Sequence, residues 1–350
     1  MGSKSFLSSD KFAMVNKMNN LDKKKPVVLF VRSTENCNGG CFMCNFAHRS
    51  SQPFLAKDQL KKIAAEAKKS GIKLIRLTGG EPLLDPNTPE YIGYLHSKGF
   101  KTSIITNGYL LPSRAFSLAQ KGLDQIILSF DGSTSKLHDR IRGLPGLYEN
   151  AIQGIKDIKT ANENIAIRIN TVVSPYNIAD LGRMLDVLIS LEANQWSLIP
   201  LKGLSNLWRQ REFDEWLLMY NNFQETVKNT DKIKLLGYSK QWAGRNESEI
   251  KEYFTSGIPY TPEGKCDLSS RVRFYDPKTE KLSACNCVPW RLKDVDFNTN
   301  ITLEGLNDGT IQPLVNYLRE NGPKICKGCE PINVFLGENP SILEEDILLF

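Results

Sequence analysis

Short runs of aliphatic and β-branched residues alternate with amphipathic stretches between Val27 and Pro200. The runs are too short for helices and predict six strands, whereas apolar residues at spacings of three and four predict helices between them. The clearest helical stretches cover 57–71, which has a stop signal at Gly71, and 177–191. The predicted strands cover 27–32, 73–78, 101–106, 125–130, 166–173 and 196–201.

This alternation predicts an α/β fold with parallel strands joined by right-handed crossovers and no internal hairpin. Six units are too few to close an eight-fold barrel, so an open, partial (β/α)6 barrel or a doubly wound sheet remains. Both architectures place their chemistry at the carboxyl-terminal ends of the strands.

The alternation stops after about residue 203. A segment rich in Trp and charge at 207–228 and a second piece near 246–255 predict helices, and 271–285 reads as a hairpin. We therefore divide the chain into an N-terminal segment (1–25), a core (26–203), a helical linker (204–262) and a turn-rich C-terminal unit (263–350).

Composition limits the cellular compartment and the class of ligand that we expect. The 350 residues are 41% hydrophobic and 24% charged, with a net charge of +6 spread along the chain, which is weak evidence for nucleic-acid binding. The N-terminus lacks an apolar core of signal-peptide length, and no run approaches the roughly 20 apolar residues that span a bilayer. We expect a cytoplasmic protein without membrane or nucleic-acid partners. Thiols stay reduced there, so the eight cysteines point to metal ligation.

Three of these cysteines lie in the loop after the first predicted strand, in "CNGGCFMC", as Cys37, Cys41 and Cys44. The two glycines let the loop fold tightly enough for three sulfurs to converge. An iron–sulfur cubane normally takes four thiolates, so three leave one iron open for an exogenous ligand. A zinc site with His48 as fourth ligand and buried free thiols are the alternatives, and the run typical of ferredoxins is missing.

The loop resembles the hallmark of the radical S-adenosylmethionine (SAM) enzymes. "TGGEP" (78–82), "TNG" (106–108), "SFDG" (129–132), "RIN" (168–170) and "HDRIRGLPG" (138–146) are similar to that family's later motifs, although Met43 stands where an aromatic residue is usual. The resemblance implies a partial barrel with one [4Fe–4S] cluster on the three cysteines and SAM on the open iron. The cofactor contacts that it implies are Gly79, Gly80, Glu81, Asn107, Ser129, Asp131, Arg142 and Asn170.

A second set of cysteines lies near the C-terminus: Cys266, Cys285, Cys326 and Cys329. Four thiolates complete one cubane, and the stretch ending at Cys285 resembles the SPASM and Twitch extensions, which carry auxiliary [4Fe–4S] clusters. Structural zinc is the alternative. Cys287 is left over; it could replace Cys285 as ligand, be inert, or act as a catalytic thiol that returns a hydrogen atom to a substrate radical, as in an epimerase.

The resemblance implies that an electron from the first cluster splits SAM into methionine and a 5′-deoxyadenosyl radical, which attacks a substrate C–H bond. Only 26 residues precede the first strand, which favours a small substrate over a leader-bearing peptide. The expected substrate is an aminoglycoside, aminocyclitol or sugar nucleoside, as in antibiotic biosynthesis, with oxidation, epimerisation or decarboxylation as outcome. A flavodoxin or ferredoxin is the expected reductant. A peptide-modifying maturase and an RNA-binding zinc module are the competing functions.

Overall fold

The computed structural model describes residues 26–201, 215, 218, 232–237, 268–285 and 300–325. Its strands are β1 (Val28–Thr34), β2 (Leu74–Gly79), β3 (Lys101–Thr106), β4 (Gln125–Ser129), β5 (Ala166–Val173), β6 (Gln195–Pro200), β7 (Lys234–Gly237), β8 (Val272–Asp276) and β9 (Lys281–Ser283). Its α-helices are α1 (Lys57–Lys69), α2 (Thr88–Ser97), α3 (Leu111–Gln120), α4 (Ser135–Arg142), α5 (Leu147–Ala161), α6 (Leu181–Ser190), α7 (Leu268–Arg271) and α8 (Gln312–Ile325). Short 3₁₀ turns cover Pro82–Leu84, Ile178–Asp180 and Leu303–Leu306.

The strands form one sheet in the order β7–β6–β5–β4–β3–β2–β1–β8–β9. Strands β1 to β7 lie side by side in chain order, and each pair is parallel. A doubly wound sheet would reverse its strand order at a switch point, and this succession does not. The predicted parallel α/β sheet is confirmed, and its singly wound order is that of a partial barrel.

The first helix shows how sequence sets these elements. In α1 the apolar residues Leu60, Ile63, Ala64 and Ala67 recur at helical spacing and are buried. The Gln59 side chain accepts a hydrogen bond from the Ala56 N–H (3.1 Å) at the helix start. The helix stops before Gly71, whose φ of 78° is left-handed. The predicted helix over 57–71 is therefore confirmed.

The predicted C-terminal hairpin forms, but it joins the main sheet. Strand β8 pairs in parallel with β1 from Val28↔Val272 to Val31↔Tyr275, and β9 pairs antiparallel with β8. Phe30 stacks on Phe274 across this junction, with ring centroids 4.6 Å apart. The predicted boundaries at 203/204 and 262/263 lie outside the described residues and stay predictions, as does the helix predicted at 246–255. Of the helix predicted at 207–228 only residues 215 and 218 are described, so it also stays a prediction.

The two faces of the sheet differ in character. One face packs Leu29, Ile75, Ile104 and similar residues against the helices in the main hydrophobic core. On the other face Arg76 donates to the Ser103 hydroxyl (3.2 Å) and to the Gln125 amide oxygen (3.0 Å). This face therefore combines a buried polar network with a small apolar cluster of Val27, Val28, Leu74 and Val272, against which Phe30 and Phe274 pack. No helix in the described ranges is long and apolar enough to cross a bilayer.

The turn between β8 and β9 offers a stability test. Exposed Glu280 has a φ of 55°, in the left-handed region that costs a non-glycine residue about 1 kcal/mol. Glu280→Gly should therefore raise the free energy of unfolding by roughly 0.5–1 kcal/mol in urea denaturation. Thr279→Gly, one position earlier and without a left-handed φ, is the matched control and should lower it. A lower free energy of unfolding for Glu280→Gly would contradict the backbone strain inferred at this position.

Candidate cofactor site

The cysteine loop leaves the carboxyl-terminal end of β1 and folds back on itself. The Cys37 N–H donates to the Arg49 carbonyl (2.8 Å), and the His48 N–H donates to the Gly39 carbonyl (2.9 Å). Inside this closed loop Cys37 is half-buried, Cys41 is buried and Cys44 is exposed. The loop therefore presents its three thiols at different depths from one short segment.

The loop packs closely around its two glycines, and at Gly40 there is no room for a Cβ unless His48 moves. A Cβ at Gly39 would lie 3.7 Å from the sulfurs of both Cys37 and Cys41, so these two sulfurs flank the same point. A Cβ at Gly40 would collide with the His48 imidazole. This packing agrees with the reason predicted for the glycines, which is a tight loop with converging sulfurs.

The protein environment of the thiols affects how they could bind a metal. Burial raises the pKa of Cys37 to about 11, and Glu81 and the other two thiols add to the rise. Ligation at Cys37 must therefore displace a proton from its sulfur. Among the described residues no three His, Cys, Asp or Glu side chains converge closely enough to hold one ion. A cubane takes one thiolate per iron, so the loop supplies protein ligands for three of its four irons.

The glycine pair at the end of β2 presses against the base of the cysteine loop. The Gly80 N–H donates to the Thr34 carbonyl (2.9 Å), and the Glu81 N–H donates to the Asn36 carbonyl (2.7 Å). A Cβ at Gly79 or Gly80 would collide with these same two carbonyl oxygens. Only glycines allow this approach, which places the backbone of 79–81 beside the cysteine loop.

Glu81 is fully buried and ties β2 to β3. Its carboxylate accepts hydrogen bonds from the Leu83 N–H (3.0 Å), the Thr106 hydroxyl (2.7 Å) and the Asn107 N–H (2.6 Å). Burial raises the pKa of Glu81 to about 6, and these three hydrogen bonds oppose the rise. The Glu81 carboxylate thus already accepts three hydrogen bonds from within the protein. It therefore has a structural role in addition to any contact with a cofactor.

The other predicted contacts lie at the same edge. The Asn107 amide donates to the Asn38 side chain in the cysteine loop (2.8 Å). Ser129 and Asn170 face each other in register on β4 and β5. The Asp131 carboxylate forms an ion pair with the Arg142 guanidinium (2.7 Å). The fold thus brings all eight predicted contacts to the carboxyl-terminal edge.

The structure keeps Cys285 apart from the first three cysteines. It follows β9, which runs opposite to β1, and Ser283 pairs with Phe274 at the level of Phe30. Cys285 therefore lies toward the amino-terminal half of the sheet, whereas the loop of Cys37 is at the carboxyl-terminal edge. The other members of the second set, Cys266, Cys326 and Cys329, lie outside the described residues, and so does Cys287.

A charge cluster that the sequence did not reveal fixes the hairpin to the cysteine loop. The Glu35 carboxylate pairs with Arg49 (3.0 Å) and with Lys278 in the β8–β9 turn (2.8 Å). Burial opposes ionisation of Glu35, but Lys278, Arg49 and Arg32 together lower its pKa. No local motif signals this contact, because Lys278 is 243 residues away along the chain.

Comparison with known proteins finds a family model that matches the residues at this edge. Residues 31–188 match the Radical SAM superfamily model. The AdoMet-dependent heme synthase of Methanosarcina barkeri is 32% identical over 163 residues, which cover 46% of this chain and 46% of that protein. The probable GTP 3′,8-cyclase of Sulfurisphaera tokodaii is 31% identical over 175 residues, or 49% and 55% of the two chains. The chain thus spans about half the length of these curated relatives.

Two solved structures share the fold over nearly the whole chain. Streptococcus suis SuiB bound to S-adenosylmethionine aligns with a TM-score of 0.61 and 17% identity, over 96% of this chain and 77% of SuiB. Native anSMEcpe with bound AdoMet aligns with a TM-score of 0.60 and 15% identity, over 93% and 96%. These identities show the fold alone. The family model match at residues 31–188 includes the cysteine loop and most of the singly wound sheet, and the fold of these two structures agrees with that match.

Proposed function

We propose that this protein is a radical SAM enzyme that takes a hydrogen atom from a small-molecule substrate. The observation that carries the proposal is the loop of Cys37, Cys41 and Cys44 at the carboxyl-terminal end of β1, inside the family match. Three thiolates leave one iron of a cubane without a protein ligand, and the neighbouring strand ends carry polar side chains that suit an amino acid and a ribose.

A bound [4Fe–4S] cluster supplies the electron that splits SAM and so starts the radical chemistry. In this chain Cys37, Cys41 and Cys44 hold the cluster. Gly79 and Gly80 bring the 79–81 backbone to the cysteine loop, where it and Glu81 bind the cofactor's amino group. The remaining contacts to the cofactor's ribose and carboxylate come from Asn107, Ser129, Asp131, Arg142 and Asn170.

A second cluster is part of the proposal. Cys266, Cys285, Cys326 and Cys329 supply one full set of thiolates, as in SPASM or Twitch extensions. When bound, such a cluster would supply an acceptor for the electron that a substrate radical loses on oxidation. Two cubanes require about eight irons per chain, which metal analysis measures directly. A flavodoxin or ferredoxin supplies the reducing electron.

The substrate proposed is a carbohydrate-like metabolite such as an aminoglycoside, aminocyclitol or sugar nucleoside. The names of the curated relatives, a heme synthase and a GTP cyclase, support a small molecule. Half-buried Arg168 and Asn170 on β5 add polar groups suited to hydroxyl-rich ligands. The alternative is peptide modification, since SuiB has been solved with its precursor peptide SuiA, although that likeness shows only the fold.

Turnover in deuterated water with a library of aminoglycosides and nucleosides tests the substrate class. Loss of two mass units indicates oxidation, and deuterium gained at one carbon indicates epimerisation or decarboxylation. Candidate peptides form the parallel arm. A rise in 5′-deoxyadenosine with peptides but with no small molecule would contradict the carbohydrate assignment and favour the maturase.

Cys287 gives a separate prediction for the redox-neutral outcome. If its thiol returns a hydrogen atom to the substrate radical, Cys287→Ala should still cleave SAM but should form no epimerised product. The assay quantifies 5′-deoxyadenosine and product in the same reaction. Cys287→Ser is the control for size and polarity, and it should fail equally because its O–H bond is a poor hydrogen-atom donor. Unchanged product from Cys287→Ala would remove this thiol from the mechanism.

A further inference from the structure

The end of helix α4 is docked on the cysteine loop. Arg142 is the last residue of α4, and Gly143 follows it with a left-handed φ of 59°. The Arg142 carbonyl accepts hydrogen bonds from the Gly40 N–H (2.9 Å) and from the Cys41 thiol (3.5 Å). A Cβ at Gly143 would collide with the Gly40 backbone, so the approach depends on glycine. The backbone of Arg142 is thus fixed against the loop.

The guanidinium of Arg142 lies between a carboxylate and a sulfur. Its Nε is 2.7 Å from the Asp131 Oδ2, and its Nη1 is 3.8 Å from the Cys41 Sγ. The Arg142 side chain is 11% exposed and that of Asp131 is 0% exposed. A guanidinium keeps its charge at every accessible pH, so a permanent cation is held beside this sulfur in a site with little water.

Asp131 is itself held in place, and so it sets the direction of the guanidinium. The second carboxylate oxygen of Asp131 accepts a hydrogen bond from the Val172 N–H (2.7 Å). Its backbone N–H donates to Nδ1 of buried His138 (3.0 Å). The chain of contacts from β5 through Asp131 and Arg142 to Cys41 is therefore continuous and buried.

We propose that Arg142 is a positioning residue for the first cluster, which it serves by donating an N–H to the Cys41 sulfur. This inference rests on the proposed function, because it assumes a cluster on Cys41. Hydrogen bonds to ligand sulfurs help to set cluster potentials, and a cationic donor stabilises the extra electron of the reduced state. Arg142 should therefore raise the reduction potential and help to retain iron. This role differs from a contact to the cofactor's carboxylate.

The test measures the cluster without SAM. Arg142→Gln is compared with Arg140→Gln, which removes the same charge from the exposed face of α4. All proteins carry Cys326→Ser and Cys329→Ser, so that iron counts report the first site. After anaerobic reconstitution, dye-mediated titration followed by electron paramagnetic resonance gives the midpoint potential, and chelator challenge gives iron retention.

For Arg142→Gln we expect reduction to become about tenfold less favourable, which is about 59 mV lower for one electron. Iron retention should weaken about tenfold, as is usual when a partner of a metal ligand is lost. Arg140→Gln should match the parent in both. Arg142→Lys keeps the positive charge but loses the planar guanidinium, so the midpoint potential of the cluster should fall less than in Arg142→Gln. If Arg142→Gln is insoluble, Arg142→Lys is measured in its place.

Equal potentials and iron retention in the Arg142 and Arg140 variants would overturn the proposal. A loss confined to SAM affinity would do the same, because it would make Arg142 a cofactor contact only. The proposed function can fail separately: a parent protein that holds a cluster tuned by Arg142 but never cleaves SAM would contradict the enzyme and leave the positioning role intact.

Discussion

Replacing Cys41 by alanine is expected to abolish formation of 5′-deoxyadenosine and to remove the iron of the first cluster. Cys41 is the buried member of the three thiols, and without it two thiolates remain for a cubane that needs three from this loop. The measurements are iron and sulfide content after anaerobic reconstitution and chromatographic assay of 5′-deoxyadenosine.

The neighbouring Phe42 provides the control for this substitution. Phe42 is 40% exposed and meets the edge of Tyr176, with ring centroids 5.4 Å apart. Phe42→Ala should keep the iron of the first cluster and retain cleavage of SAM, because it removes no ligand. Full activity in the Cys41→Ala protein would rule out the assignment of this loop as the cluster site.

The second large effect is expected at Glu81, in the stability of the metal-free protein. Glu81→Ala leaves the Leu83 N–H, the Thr106 hydroxyl and the Asn107 N–H without their buried acceptor. A buried donor left without an acceptor costs about 1–3 kcal/mol. We therefore expect the free energy of unfolding to fall by about 3 kcal/mol or more. Urea denaturation of the apo-protein measures it. Glu81→Gln keeps the shape and one carbonyl acceptor, and it should lose less.

The same carboxylate predicts a pH dependence whose sign follows from its raised pKa. The pKa of Glu81 is about 6 in the folded protein against an ordinary value of 4.5, because burial disfavours the charged form. The folded state therefore binds more protons than the unfolded state between these values. Its contribution to stability is complete well below pH 4.5 and is lost, by about 2 kcal/mol in total, as pH rises through 6. Glu81→Gln should flatten this part of the profile, and an unaltered slope would contradict the shift.

Much of the fold can be predicted from the sequence because it depends on local patterns of apolar and polar residues. Strands at Lys101–Thr106 and Ala166–Val173 match their predicted ranges, and the other four predicted strands differ by one or two residues. Short apolar runs between amphipathic helices leave few arrangements other than a parallel sheet in chain order. The cysteine loop can be predicted for a similar reason: its three cysteines and two glycines lie within eight residues.

The features that sequence did not reveal are contacts between distant segments. The sequence gives no sign that β8 pairs with β1, because an exposed hairpin and an added edge strand share the same alternation. Strand β7 has four residues and too little pattern to predict. The Arg142 contact to Cys41 spans 101 residues and depends on how α4 ends against the loop. The similarity to a family motif suggested a cofactor contact for Arg142, and only the structure shows its sulfur partner.

Cleavage of SAM by the protein alone is the most direct test of the central claim that this loop holds a cubane with one open iron. The protein is reconstituted anaerobically with iron and sulfide, reduced with dithionite, and incubated with SAM in the absence of substrate. We expect slow accumulation of 5′-deoxyadenosine together with methionine, and none from the Cys41→Ala protein. If the reconstituted protein holds iron and sulfide but never forms 5′-deoxyadenosine, the claim is wrong.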